Sequence, residues 1–97
     1  MALRLVVSDR AAREIGEAFE WYEEQLSGMG AQFVQMLDAQ FAAIARSPAL
    51  YARTQRGVRR ALLPRFPYSV FYASRGEIVS ILAVVHTARS PLRWPRR

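Results

Sequence analysis

The side chains with the widest chemical range frame one stretch of this 97-residue sequence, with Arg65 at its start and His86 and Arg89 at its end. An imidazole titrates near neutral pH and can act as general base. Two guanidiniums can clamp a phosphate or stabilise a pentavalent transition state. Positive neighbours such as Arg59, Arg65 and Arg89 would hold His86 in its neutral form. A second group suits binding rather than catalysis: Arg59, Arg60, Tyr72, Arg93 and Trp94 could meet phosphates or carboxylates and stack on bases or partner side chains. Each has a plainer use. A histidine at a strand end bonds backbone, arginines on a sheet edge block strand-to-strand aggregation, Tyr68 and Tyr72 can be core aromatics, and Trp94 can anchor the tail.

Other chemistries are poorly supplied. The chain has no cysteine and one histidine, which removes thiolate nucleophiles, disulfides and multi-histidine metal sites. There is no glycine-rich phosphate loop. The only aspartates, Asp9 and Asp38, sit in the helical part, so no Ser–His–Asp arrangement is indicated. Glu17, Glu20 and Glu24 fall on one helix face and fit a solvated surface. No cofactor and no metal are expected.

The charge is divided. Residues 1–45 carry three arginines and seven acids, net −4; residues 46–97 carry eleven arginines against Glu77, net +10, for the total of +6. All fourteen basic residues are arginine. Such clustering points to an anionic partner for the C-terminal half, nucleic acid or an acidic protein segment. No apolar run reaches the ~20 residues that span a bilayer, and the N-terminus lacks a signal-peptide pattern. The expectation is one soluble, cytoplasmic domain over 1–97.

The elements that must position these residues follow from periodicity. Leu3 to Val7 predicts a first strand. Ser8 or Asp9 caps a helix running to about Leu26, with Ala12, Ile15, Phe19, Tyr22 and Leu26 as its apolar stripe. Ser27-Gly28-Met29-Gly30 breaks it. A second helix, about Ala31 to Arg46, buries Phe33, Leu37, Phe41 and Ile44 and ends at Ser47-Pro48. Residues 49–57 are read as a connector closed by Gly57. Strands follow at Val58–Leu63, Tyr68–Ala73 and Glu77 to about Thr87, the last two joined by a turn at Ser74-Arg75-Gly76. Arg59 and Arg60 fall on opposite faces. The last strand is apolar on both faces, Ile78/Ser80/Leu82/Val84/His86 and Val79/Ile81/Ala83/Val85/Thr87, so it belongs inside the sheet or under cover on both sides. The fold class is α+β, β-α-α-β-β-β, an antiparallel sheet packed against an α-helical hairpin. The place of the first strand in the sheet is left open, as is whatever covers the face away from the helices.

Three segments, taken in order, carry a resemblance: Arg65-Phe66-Pro67-Tyr68-Ser69-Val70-Phe71-Tyr72, then Ile81-Leu82-Ala83-Val84-Val85-His86, then Arg89, Pro91 and Trp94. With Ala12, Ile15, Ala18, Trp21 and Tyr22, then Phe33, Leu37 and Ile44, then Pro48 and Arg59/Arg60, the sequence resembles the RelE/ParE superfamily of bacterial type II toxin–antitoxin toxins over nearly its whole length. The resemblance implies a toxin from a plasmid-stabilisation type of module. Its partner would be a cognate acidic antitoxin, giving a toxin–antitoxin hetero-oligomer. ParE-like members act on DNA gyrase; RelE-like members cut mRNA on the ribosome. The nuclease alternative would use Arg65, His86 and Arg89 as catalytic residues. The chain departs from that pattern in having no lysine, and Trp94 near the place of a late catalytic tyrosine; an indole cannot exchange a proton as a phenol does. These departures favour the ParE-like branch. A degenerate toxin that keeps antitoxin binding alone is a further alternative.

Overall fold

Ser8 joins the first strand to the rest of the molecule by hydrogen bonds of its hydroxyl and its backbone. The computed structural model describes residues 3–88, the side chain of residue 55 excepted. Strand β1 (Arg4–Val7) leads directly into helix α1 (Asp9–Gln25). Ser8 caps that helix: its hydroxyl oxygen accepts from the Ala11 N–H at 3.0 Å. The same hydroxyl donates to the Leu82 carbonyl at 3.0 Å, and the Ser8 N–H donates to the Ile81 carbonyl at 3.0 Å. Of the two cap candidates, Ser8 takes the role.

Helix α2 (Met29–Arg46) starts two residues earlier than its apolar pattern suggests. Two glycines shape the junction differently. Gly28 adopts φ 93° at the N-cap, and its N–H is held by the Glu23 carboxylate at 2.7 Å. Gly30 is buried where the helices cross; a Cβ there would lie 2.6 Å from the Phe19 carbonyl oxygen. The buried stripe of α1 is Ala11, Ala18 and Tyr22, with Ile15 packed beside it. This is rotated from the expected one: Ala12 is exposed, and Leu26, the extended C-cap, is 59% exposed. Helix α2 buries Phe33, Leu37 and Ile44 as expected, adds Gln40, and leaves Phe41 partly buried.

A short 3-10 turn (Pro48–Leu50) precedes β2 (Ala52–Gln55), β3 (Val58–Leu62), β4 (Tyr68–Arg75) and β5 (Ile78–His86). The stretch 49–57 is therefore not merely a connector: it contains a fifth strand. Its turn is Arg56-Gly57, with φ 51° and 78°, the two positive values that a type I′ hairpin requires. The β4–β5 turn lies one residue later than expected, because Arg75 pairs with Ile78 and leaves Gly76 (φ 59°) and Glu77 as the central pair.

The sheet order is β1-β5-β4-β3-β2. β1 runs parallel to β5, and the other pairs are antiparallel. Placing β5 between β1 and β4 agrees with its two apolar faces. Strict alternation along β5 fails at one point. Phe71 pairs with Ala83 and Tyr72 with Ile81, so Leu82 is an extra residue and the strand bulges there. Val79 and Ile81 face the helices; beyond the bulge Val84 does so, while Ala83 and Val85 turn to the opposite face. Both helices pack on one side, over Val70, Tyr72, Val79, Ile81 and Val84. Tyr22, Phe33, Phe66 and Tyr68 interlock there, with ring centroids 5.1–6.2 Å apart. Each such buried ring stabilises the fold by about 1.5–3 kcal/mol.

Candidate functional site

His86 ends β5, opposite Tyr68 of β4, with ring centroids 5.2 Å apart in an edge-on arrangement. Its Nδ1 accepts the Ala88 N–H at 2.9 Å, so in the neutral ring the proton sits on Nε2. Because of the bulge, the ring falls on the helix side. It lines a hollow of about 490 Å³ with Glu14, Glu17, Trp21, Tyr22 and Tyr68. Glu14 has a structural task there. One carboxylate oxygen accepts the Val84 N–H at 2.8 Å, beyond the last β1 pair, Val7 with Ile81, where no described strand pairs that edge of β5. The other accepts Arg10 Nε at 2.9 Å. Among the described residues the wall beside His86 is thus acidic and aromatic, and Arg59 and Arg65 of the expected rim do not line it.

Arg65 opens elsewhere. It sits in the loop between β3 and β4 at φ 72°, a left-handed conformation uncommon for a residue other than glycine. It lines a second hollow with Gln32, Gln35, Met36, Ala39 and Phe66, against α2. Of the three candidate catalytic residues, Arg65 and His86 thus line different hollows, and Arg89 lies outside the described residues. The loop is held by the Leu63 N–H to the Tyr68 carbonyl at 2.9 Å and by the Tyr68 N–H to the Phe66 carbonyl at 2.7 Å. These bonds seat Phe66 in the core and leave Arg65 exposed.

Arg59 and Arg60 lie on opposite faces of β3, as alternation requires. Arg59 is half-buried on the helix side, and its guanidinium donates to the Tyr51 carbonyl at 2.6 Å. Arg60 pairs with Phe71 and Ala52 on the other face. Arg53 of β2 pairs directly with Arg59, and Arg56 occupies the β2–β3 turn. The sequence gives no sign of Arg53 and Arg56 as strand and turn residues, because their segment has no apolar alternation; Gly57, a residue that tolerates a turn, is the one available signal. From residue 46 to residue 76 the chain holds seven arginines and no acid.

Tyr72 does not belong among surface contacts. Its ring is 0% exposed, and its hydroxyl donates to the Pro48 carbonyl at 2.5 Å. Burial raises its phenol above the ordinary value; Arg59 opposes that and Tyr51 adds to it. Stacking on a base would require the core to open. Arg89, Arg93 and Trp94 lie outside the described residues. Among the described residues no group of three acids, histidines or cysteines could hold a metal ion, and no helix is long and apolar enough to cross a membrane.

A family model described as the ParE toxin of the type II toxin–antitoxin system parDE matches residues 5–91. Among solved structures, the chromosomal ParDE system of P. aeruginosa superposes with a TM-score of 0.77 at 20% identity, covering 88% of this chain and 96% of that one. The intact E. coli RelBE toxin–antitoxin complex superposes at 0.67 with 18% identity, covering 88% and 96%. A free mutant of the E. coli toxin RelE gives 0.63 at 20% identity, covering 95% and 90%. At these identities the structural likeness establishes the fold. No curated protein sequence matches significantly.

Proposed function

The chain belongs to the ParE toxin family of type II toxin–antitoxin systems, and from that premise we propose that it arrests growth by binding DNA gyrase through protein contacts, not by cutting mRNA. The surroundings of His86 carry this reading. A phosphodiester brought to that imidazole would meet Glu14 and Glu17 in the same hollow, and like charges there oppose an RNA backbone. Arg65, which would share the catalytic work, faces a different hollow.

The contact surface in this reading is the β2–β3 end of the sheet, with Arg53, Arg56, Arg59 and Arg60. Its uninterrupted positive charge suits a partner with acidic groups, steering encounter and fixing orientation. The same charge suits an acidic antitoxin, which would neutralise the toxin by covering this end in a hetero-oligomer.

Purified protein added to a gyrase supercoiling reaction tests the proposal. The expected result is inhibition that the antitoxin reverses. Unimpaired supercoiling at saturating protein, with mRNA cleaved on added ribosomes, would replace it with the nuclease reading. Inactivity in both assays and no growth arrest on induction would leave a chain that only binds antitoxin.

A further inference from the structure

The hollow beside His86 contains groups that hold nothing in the fold. Glu14, Glu17 and Trp21 line it from successive turns of one face of α1. Glu14 is engaged on both carboxylate oxygens. Glu17 is exposed and makes no hydrogen bond or ion pair among the described residues. Trp21 is 55% exposed; its ring stands at 84° to that of Tyr22, 5.1 Å away, and much of the indole lies in solvent. Tyr22 is the opposite case. It is 9% exposed, packed against Phe33 and Phe66, and its hydroxyl has no hydrogen-bond partner among the described residues. A buried hydroxyl is ordinarily paired, as that of Tyr72 is with the Pro48 carbonyl. Tyr22 borders the hollow, which is where a partner for its hydroxyl can enter.

A carboxylate, an indole and a buried phenol together select the ligand. An anion is opposed by Glu14 and Glu17. An apolar side chain would cover the indole but leave the Tyr22 hydroxyl unpaired. An ammonium is a compact point charge that cannot stack and fork at once. A guanidinium does both: its plane lies on an aromatic ring while its N–H groups reach a carboxylate and a phenol oxygen. A hollow of about 490 Å³ admits the whole side chain. We propose that it is a docking site for an arginine side chain of the antitoxin, the guanidinium stacked on Trp21 and donating to Glu17 and to the Tyr22 hydroxyl oxygen. The proposal rests on the antitoxin partnership of the reading above and is independent of the cellular target. It gives that partner two anchors of opposite sign, acidic groups on the β2–β3 end and one arginine here, so that only one orientation satisfies both.

Titration of the full chain with N-acetyl-arginine-N-methylamide, followed by NMR at the Trp21 indole N–H, tests the site. Saturable binding with a Kd on the order of 1–10 mM is expected, and the uncharged citrulline derivative should bind at least about tenfold more weakly. Glu17→Gln and Tyr22→Phe should each weaken the arginine probe about threefold to tenfold. Tyr22→Phe should keep its melting temperature, since the hydroxyl it removes holds no partner among the described residues. One equivalent of antitoxin should displace the probe, and Glu17→Arg should weaken the antitoxin by about tenfold or more. No saturable binding, equal binding of the two probes, or a complex that forms while the probe stays bound would each overturn the proposal. So would a probe that binds only after Arg89, Arg93, Arg96 and Arg97, which follow Ala88 at the hollow, are replaced by glutamine, because the chain's own arginines would then be the occupants. If no complex with the antitoxin forms at all, the partnership itself fails and the docking with it.

Discussion

The hollow beside His86 and the β2–β3 end are parts of one sheet, yet they set opposite conditions for a partner. The hollow holds the single imidazole, three aromatic rings and two glutamates. The β2–β3 end holds four arginines on two short strands and their turn. Residue types alone would place chemistry at the first and ordinary solvation at the second. Under the proposed binding role the order reverses. A histidine gains catalytic meaning from what surrounds it, and here a carboxylate that holds the Val84 N–H stands where a phosphate would have to come. Arginines on an edge gain binding meaning when no acid interrupts them.

The comparison can be broken most directly by charge. Arg53→Glu with Arg60→Glu should weaken target binding by about 3 kcal/mol, roughly a hundredfold, because like charges then face an acidic partner. His86→Ala should stay within about twofold. Isothermal titration with the target and growth curves on induction would read both, and the reverse ranking would move the site to the hollow. Gly30→Ala comes next, at about 2 kcal/mol of stability. The new methyl meets the Phe19 carbonyl and the Glu23 side chain, so the helices must part; urea denaturation measures the loss. Target affinity per folded molecule should hold, since the β2–β3 end lies on the sheet and not on the helix crossing.

Glu14→Ala should cost about 1.5 kcal/mol by leaving the Val84 N–H without its carboxylate. Exchange of that amide should quicken in hydrogen–deuterium measurements, and a conserved exchange rate would show that the bond contributes little. The smallest effect belongs to Tyr72→Phe, at about 1 kcal/mol for the lost bond to Pro48. It has a pH signature as well. Burial raises the Tyr72 phenol above 10.0, so the folded chain holds this proton to higher pH than the unfolded chain. The resulting stabilisation is complete below pH 10 and fades as pH rises through the folded-state value. Thermal melts should therefore fall above pH 10, less steeply in the variant; Tyr22, also raised by burial, accounts for part of the remaining slope.

How far the sequence reveals this molecule depends on how much each segment is constrained by its own pattern. The two helices and three longer strands were legible because their apolar periods are strong. β2 was not, since Ala52-Arg53-Thr54-Gln55 offers no apolar face and is held as an edge by its partner strand. The stripe of α1 was read slightly rotated because apolar residues lie on both sides of it, and only packing against α2 and the sheet selects Ala11 and Ala18. The bulge was illegible for a related reason. β5 is apolar on both faces, so a one-residue slip carries no penalty visible in its sequence. Arg59 and Arg60 were placed correctly by alternation on β3. His86 was not, because its side of the sheet is decided by the bulge.

That extra residue at Leu82 also governs how this chain should be compared with its relatives. Counting along a strand assigns faces by odd and even, and an insertion of one exchanges the two for everything beyond it. A relative without the bulge would carry its equivalent of His86 on the opposite side of the sheet, toward the face that bears Arg60. Two toxins aligned residue for residue through this strand can therefore agree at every letter and still present different side chains to the same partner. Roles at the end of β5 transfer between them only after the hydrogen-bond register has been matched.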